Sequence, residues 1–129
     1  MSEPEQRVFI VDDDAAVRDS LAMLLELRGF RTRVFGSAEA FLGAYAPDWA
    51  GCVVLDLHMP GMTGLALQAE MLNRAIRLPV IIVTARGDIS AAHAALKAGA
   101  VDLIEKPPDD GQLVAAIRAA FKRDAAHRA

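Results

Sequence analysis

Apolar residues fall along this chain in two alternating patterns, short runs and stretches with a helical repeat. Four runs stand out: Val8-Phe9-Ile10-Val11, Cys52-Val53-Val54-Leu55, Val80-Ile81-Ile82-Val83 and Val101-Asp102-Leu103-Ile104. Runs of this length, bounded by polar residues and turn formers, predict strands buried on both faces, over residues 7–11, 52–57, 80–84 and 101–105. Residues 30–35 instead alternate (Phe30, Arg31, Thr32, Arg33, Val34, Phe35), which predicts a half-exposed strand at a sheet edge.

Between the strands the apolar spacing changes to three and four. Residues 14–28 place Val17, Leu21, Leu24 and Leu25 on one helical face, with Asp14 positioned to cap the start and Gly29 to end it. Ser37 can cap a short helix to about residue 44, and residues 65–73 and 90–98 are also helical by pattern. Asp109 or Asp110 opens a last helix to about residue 125, with Leu113, Ile117 and Phe121 four apart. Residues 47–51 and 58–64 are turn-rich connections.

Five strands alternating with five helices through short loops predict an α/β fold, a parallel sheet covered by helices on both faces. Right-handed crossovers leave few topologies. The alternating second strand belongs at an edge, so the expected order is 2-1-3-4-5. No repeat, linker or low-complexity block interrupts the pattern. One domain is expected over residues 7–123, with a flexible stretch at 1–6 and a tail, or the start of a linker, at 124–129.

Composition narrows the function classes. The 129 residues are 53% hydrophobic but only 5% aromatic, so aliphatic side chains must fill the core. With 14 basic and 17 acidic residues the net charge is −3, which argues against direct nucleic-acid contact. No run approaches the roughly 20 apolar residues that span a bilayer. The start, Met1-Ser2-Glu3-Pro4-Glu5-Gln6, is unlike a secretory leader. Cys52 is the single cysteine, so no intrachain disulfide can form and a cytoplasmic location is expected. Opening an apolar run, Cys52 reads as a buried, inert thiol.

The chemistry concentrates at the carboxyl ends of the strands, where open parallel sheets build their sites. Asp12-Asp13-Asp14 follows the first strand, Asp56 ends the third, Thr84 ends the fourth, and Lys106 follows the fifth. In the order 2-1-3-4-5 the first and third strands are neighbours, so Asp12, Asp13 and Asp56 converge. Mutual repulsion among them is relieved by a hard divalent cation, Mg²⁺ or Mn²⁺, with the backbone carbonyl of His58 as a further oxygen ligand. The bland alternatives are loop solubility for the aspartates, helix capping for Asp14, an ordinary strand end for Thr84 and a surface lysine for Lys106. Three aspartates, one lysine and a divalent cation sum to zero, and such a site suits a phosphoryl group accepted by a carboxylate. Thr84 Oγ1 and the amide of Ala85 could then hydrogen-bond the phosphoryl oxygens.

Taken together, Val8-Phe9-Ile10-Val11-Asp12-Asp13-Asp14, the stretch from Val54 to Gly64, Val80-Ile81-Ile82-Val83-Thr84-Ala85, Lys97-Ala98-Gly99-Ala100-Val101-Asp102 and Glu105-Lys106-Pro107 resemble response-regulator receiver domains of two-component signalling, in particular the FixJ-like branch. The resemblance runs from about Arg7 to Phe121 and implies a flavodoxin-like fold. It implies that Asp56 accepts a phosphoryl group from a sensor histidine kinase, and that Asp12, Asp13, Asp56 and the carbonyl of His58 hold Mg²⁺. It further implies that Thr84 is the switch hydroxyl, that Lys106 pairs with the phosphoryl group, and that the Lys106–Pro107 bond is cis. The change would be relayed through the fourth helix, fifth strand and last helix.

Two departures from the family pattern bear on that relay: Leu103 and Pro108 stand where aromatic rings are usual. His93, on the fourth helix, reads most simply as a solvated residue. His58 and Arg86 lie two residues beyond Asp56 and Thr84, where a side chain could gate water. The resemblance implies a regulatory phospho-acceptor rather than an enzyme, with self-catalysed phosphoryl transfer and dephosphorylation at Asp56. Two other readings remain open: a degenerate receiver serving as an interaction module, and a carboxylate-nucleophile phosphohydrolase. The expected partners are a sensor histidine kinase and an output domain outside this chain (a helix-turn-helix unit or a separate effector), with phosphorylation-dependent homodimerisation left open.

Overall fold

The computed structural model describes residues 5–85 and 87–128, so residues 1–4, Arg86 and Ala129 lie outside the described residues. The chain alternates strand and helix throughout: β1 (Gln6–Val11), α1 (Ala15–Leu27), β2 (Arg31–Phe35), α2 (Ala38–Ala44), β3 (Ala50–Leu55), α3 (Gly64–Asn73), β4 (Val80–Thr84), α4 (Ile89–Lys97), β5 (Asp102–Glu105) and α5 (Asp110–Arg128). The strands form one parallel sheet in the order β2-β1-β3-β4-β5, as expected. The alternating strand β2 is indeed an edge, with Arg31, Arg33 and Val34 exposed.

The unbroken apolar runs of β1, β3 and β4 are explained by a core on each face of the sheet, whereas β5, predicted to be buried on both faces, is the other edge, with Asp102 and Glu105 exposed. Successive side chains of a strand point to opposite faces. Phe9, Val11, Val53, Leu55 and Ile82 therefore pack with Phe41, Leu67 and Ala95 from α2, α3 and α4. The intervening Val8, Ile10, Cys52, Val54, Ile81 and Val83 pack with Leu21 and Leu25 from α1 and Leu113 and Ile117 from α5. Most of the few aromatics gather in the first layer, where Trp49 stacks on Phe9 at 4.4 Å and meets Phe41 edge-on, while Phe30 and Phe121 meet edge-on against the second. Burial in the second layer pushes the Cys52 thiol pKa far up, which keeps it inert.

Gln6 and residues 124–128 are tied down more firmly than polarity alone predicts. Gln6, expected to fray, starts β1, and its side-chain amide donates to the carbonyl of Phe121 at 2.8 Å. Helix α5 runs through residues 124–128, which read as a polar tail. Asp124 is buried there, accepts from the amide of Gly51 at 2.9 Å and pairs with Arg128 at 3.0 Å. Arg128 also donates to the carbonyl of Trp49. Ala50 and Gly51 belong to β3 rather than to the preceding loop. Gly51 has φ +129°, and a Cβ built on it would lie 1.8 Å from the carbonyl oxygen of Arg7, so only glycine fits.

Candidate functional site

Each strand hands its functional residue to the same edge of the sheet. The ladder continues one step past β1 and β3, with the amide of Asp12 donating to Phe35 O and that of Asp56 to Val11 O. These bonds fix where the two carboxylates emerge. After β5, the amide of Lys106 donates to Thr84 O at 2.8 Å, which places the lysine beside the end of β4. The Lys106–Pro107 peptide is cis. Beyond Asp56 the chain turns tightly: Gly64 N donates to Leu57 O at 2.9 Å, and a Cβ on Gly64 would meet Asp56 O at 2.5 Å. Glycine at the start of α3 is what allows this loop to fold back on the backbone of Asp56.

Asp12, Asp13 and Asp56 each present a carboxylate oxygen, all within 4.8 Å of one another. Asp12 and Asp56 are buried, whereas Asp13 faces solvent. Lys106 Nζ donates to Asp12 Oδ2 at 2.9 Å and lies 3.6 Å from Asp56 Oδ2. Asp12 Oδ1 accepts from the amide of Asp14 at 2.9 Å, and its backbone carbonyl accepts from Arg18 Nη1 at 2.7 Å. Asp56 Oδ1 receives a long bond, 3.4 Å, from the amide of His58.

Burial raises the Asp56 pKa, Lys106 pulls it back down, and Asp12 and Asp13 push it up again, with a net rise. For Lys106, burial alone would lower the pKa, but the hydrogen bond to Asp12 and the charges of Asp12 and Asp56 outweigh it and the net shift is upward. The lysine therefore stays charged. Among the described residues the cluster is all oxygen, with neither thiolate nor imidazole in it, and this donor set fits a hard divalent cation. Thr84 Oγ1 is buried at the same edge without a hydrogen-bond partner. An unsatisfied buried hydroxyl is uncommon and points to a group it can bind in another state.

Of the residues singled out in the sequence, Asp12, Asp13, Asp56 and Lys106 come together, and Thr84 ends the strand next to Lys106. Asp14 stands apart as the cap of α1, accepting from the amides of Ala16 and Val17. The imidazole of His58 does not join the carboxylates, since its Nε2 contacts Asp88 Oδ2. His93 is exposed on α4, and Leu103 packs half-buried against the first core layer. Two residues near the site were not anticipated, Arg18 and Asp88. Asp88 reads in sequence as part of a Gly-Asp break before a helix, and only the fold brings it to His58.

Comparison with known proteins agrees with this geometry. Residues 8–118 match the family model described as the response regulator receiver domain. The chain belongs to that family. It is 47% identical over 118 residues to the transcriptional regulatory protein FixJ of Azorhizobium caulinodans, a match covering 92% of this chain and 56% of that protein. The crystal structure of FixJ-N superposes with a TM-score of 0.86 at 45% identity, covering 95% of this chain and 96% of that one. The response regulator StyR gives 0.90 at 39% identity, covering 96% of this receiver chain and 63% of StyR. This receiver domain thus spans about half the length of the curated relatives it matches. Receiver domains are regulatory parts of two-component response regulators, in keeping with a signalling role for the site. Among the described residues no helix is long and apolar enough to cross a membrane.

Proposed function

We propose that this receiver domain is a phosphorylation-controlled switch in which Asp56 accepts a phosphoryl group from the phosphohistidine of a sensor kinase. The observation that carries the reading is the placement of one charged lysine between two buried carboxylates, Asp12 at 2.9 Å and Asp56 at 3.6 Å. A Asp56 carboxylate oxygen attacks phosphorus, the new O–P bond forms as the P–N bond of phosphohistidine breaks, and the imidazole leaves with the electron pair and takes up a proton. Asp12, Asp13 and Asp56, with the carbonyl of His58, would hold Mg²⁺. The bound ion would neutralise charge developing on the phosphoryl oxygens. Lys106 can shift from Asp12 toward the phosphoryl group, and Thr84 Oγ1 gains there the partner it otherwise lacks.

The chemistry that places Thr84 against a phosphoryl group also moves the end of β4, so the surface of α4, β5 and α5 is the natural relay. The names of relatives such as FixJ point to transcription as the output, through a helix-turn-helix domain or a separate effector. Self-catalysed dephosphorylation at Asp56 and phosphorylation-dependent homodimerisation belong to the same proposal. Acetyl phosphate with Mg²⁺ is expected to add one phosphoryl group to the wild-type chain, seen by intact-mass spectrometry, and none to Asp56→Asn. Equal modification of both, or of neither, would overturn the assignment. Sedimentation with and without beryllofluoride tests the dimer.

A further inference from the structure

The start of α4 differs from the other helix starts. Asp14 caps α1, Ser37 caps α2 and Thr63 caps α3, each with extended backbone and a side-chain oxygen accepting an amide of the first turn. At α5, Asp109 Oδ2 accepts from the amide of Gln112 at 2.9 Å. Aspartate is among the strongest capping residues, and Asp88 occupies the capping position of α4. Yet it makes no capping bond, and its ψ of 65° lies outside the extended range the other three adopt. Its carboxylate is engaged instead by His58 Nε2, thirty residues earlier in the chain. His58 follows Asp56 by two residues, and its amide donates to the Asp56 carboxylate.

We propose that Asp88 is a two-position latch, paired with His58 in the resting protein and returning to cap α4 when Asp56 carries a phosphoryl group. The inference rests on the switch reading above and adds a route by which the loop after Asp56 reaches α4. In the latched position the β3–α3 loop is tied to the start of α4, and the first-turn amides of that helix lack their cap. In the released position the aspartate accepts from the amide of Ser90 or Ala91, and α4 is stabilised from its first turn. One carboxylate cannot keep the latched backbone geometry and the capping geometry together, so the states exclude each other. A ligand that favours one shifts the balance by its differential affinity. The half-buried Leu103 offers no ring to follow Thr84, and the latch supplies a path to α4 that needs none. The imidazole of His58 and the carboxylate of Asp88 act as positioning groups, and neither side chain touches a reacting atom.

The test uses the intact chain with Mg²⁺ and beryllofluoride as the phosphoryl mimic, and two readouts. The first is amide exchange at Ser90 and Ala91; the second is the apparent affinity for beryllofluoride. His58→Ala frees Asp88 and keeps the backbone carbonyl, so it is expected to slow exchange at those amides without any ligand and to tighten beryllofluoride binding by up to about fivefold, the worth of the pair that no longer holds the resting state. Asp88→Asn, which caps well but pairs weakly with imidazole, is expected to do the same. Asp88→Ala can neither pair nor cap, so exchange stays fast with and without ligand and its beryllofluoride binding is about fivefold weaker than that of Asp88→Asn, the value of one cap. Unchanged exchange in unliganded His58→Ala would overturn the latch, as would a response of Asp88→Ala equal to that of Asp88→Asn. Failure of the switch reading shows separately, as no beryllofluoride binding by wild type, while the unliganded exchange still decides whether the latch exists.

Discussion

Replacing Asp56 by asparagine is expected to stabilise the metal-free protein. At an effective dielectric of about 20, like charges near 4.8 Å repel by roughly 3 kcal/mol a pair, while Lys106 at 3.6 Å attracts Asp56 by about 5 kcal/mol. Asp12 and Asp13 together thus slightly outweigh the lysine. Asp13 is exposed and solvent screens its share, which brings the charge interactions close to cancelling. Burial then decides the sign, and the Asp56 pKa is raised, chiefly by desolvation. The folded state therefore holds the Asp56 proton more tightly than the unfolded chain does. Stability from this group is fullest below the unfolded carboxylate pKa of about 3.9 and falls as pH rises toward the folded value. At neutral pH the ionised carboxylate is a standing penalty that asparagine removes. A gain of about 1–2 kcal/mol is expected, or a rise in Tm of roughly 3–8 °C for a domain of this size. Calorimetry in EDTA at pH 7 measures it, and repeating the scans at progressively lower pH should close the gap, as Asp56 becomes protonated in the folded and the unfolded chain alike. Adding Mg²⁺ should reverse the ranking, because the wild-type site gains the ion's binding energy. An asparagine variant no more stable than wild type in EDTA, or a gap that persists in acid, would refute the electrostatic account.

Three further substitutions probe other parts of the structure. Thr84→Val removes a buried hydroxyl that has no partner, so metal-free stability in urea is expected to be unchanged or up to about 1 kcal/mol higher, while beryllofluoride binding weakens. Asp124→Ala leaves the amide of Gly51 without its acceptor and Arg128 without its partner, and is expected to cost about 1–3 kcal/mol, with faster amide exchange at Gly51 and in the last turn of α5. Gly64→Ala forces a methyl to within 2.5 Å of Asp56 O, so it is expected to cost about 1–3 kcal/mol and to weaken Mg²⁺ binding by moving the Asp56 loop, read by titration calorimetry.

Much of the fold was legible in the chain because local pattern and global topology ask for the same thing. A parallel sheet covered on both faces requires strands apolar at every position, and Val8 to Val11, Cys52 to Leu55 and Val80 to Val83 meet that requirement without reference to anything distant. The edge position of β2 followed from its alternating arginines. The meeting of Asp12, Asp13, Asp56 and Lys106 followed from strand order alone, since each lies at the same end of its strand. Asp124 and Gln6 were not legible, because their polarity signals solvent unless the partner is known. Asp124 is buried because α5 crosses β3 where the amide of Gly51 needs an acceptor, and Gln6 is held by its ladder pairing with Ala50 and by Phe121 O, which α5 brings within reach. The pairing of Asp88 with His58 is of the same kind. A capping aspartate before a helix predicts a cap, and only the tertiary structure, by carrying the loop after Asp56 across to α4, gives it a competing partner. Periodicity, which each segment carries in itself, set the strands, the helices and their order. Side-chain pairings between distant segments, whose energies exist only once the chain is folded, were decided by the tertiary structure.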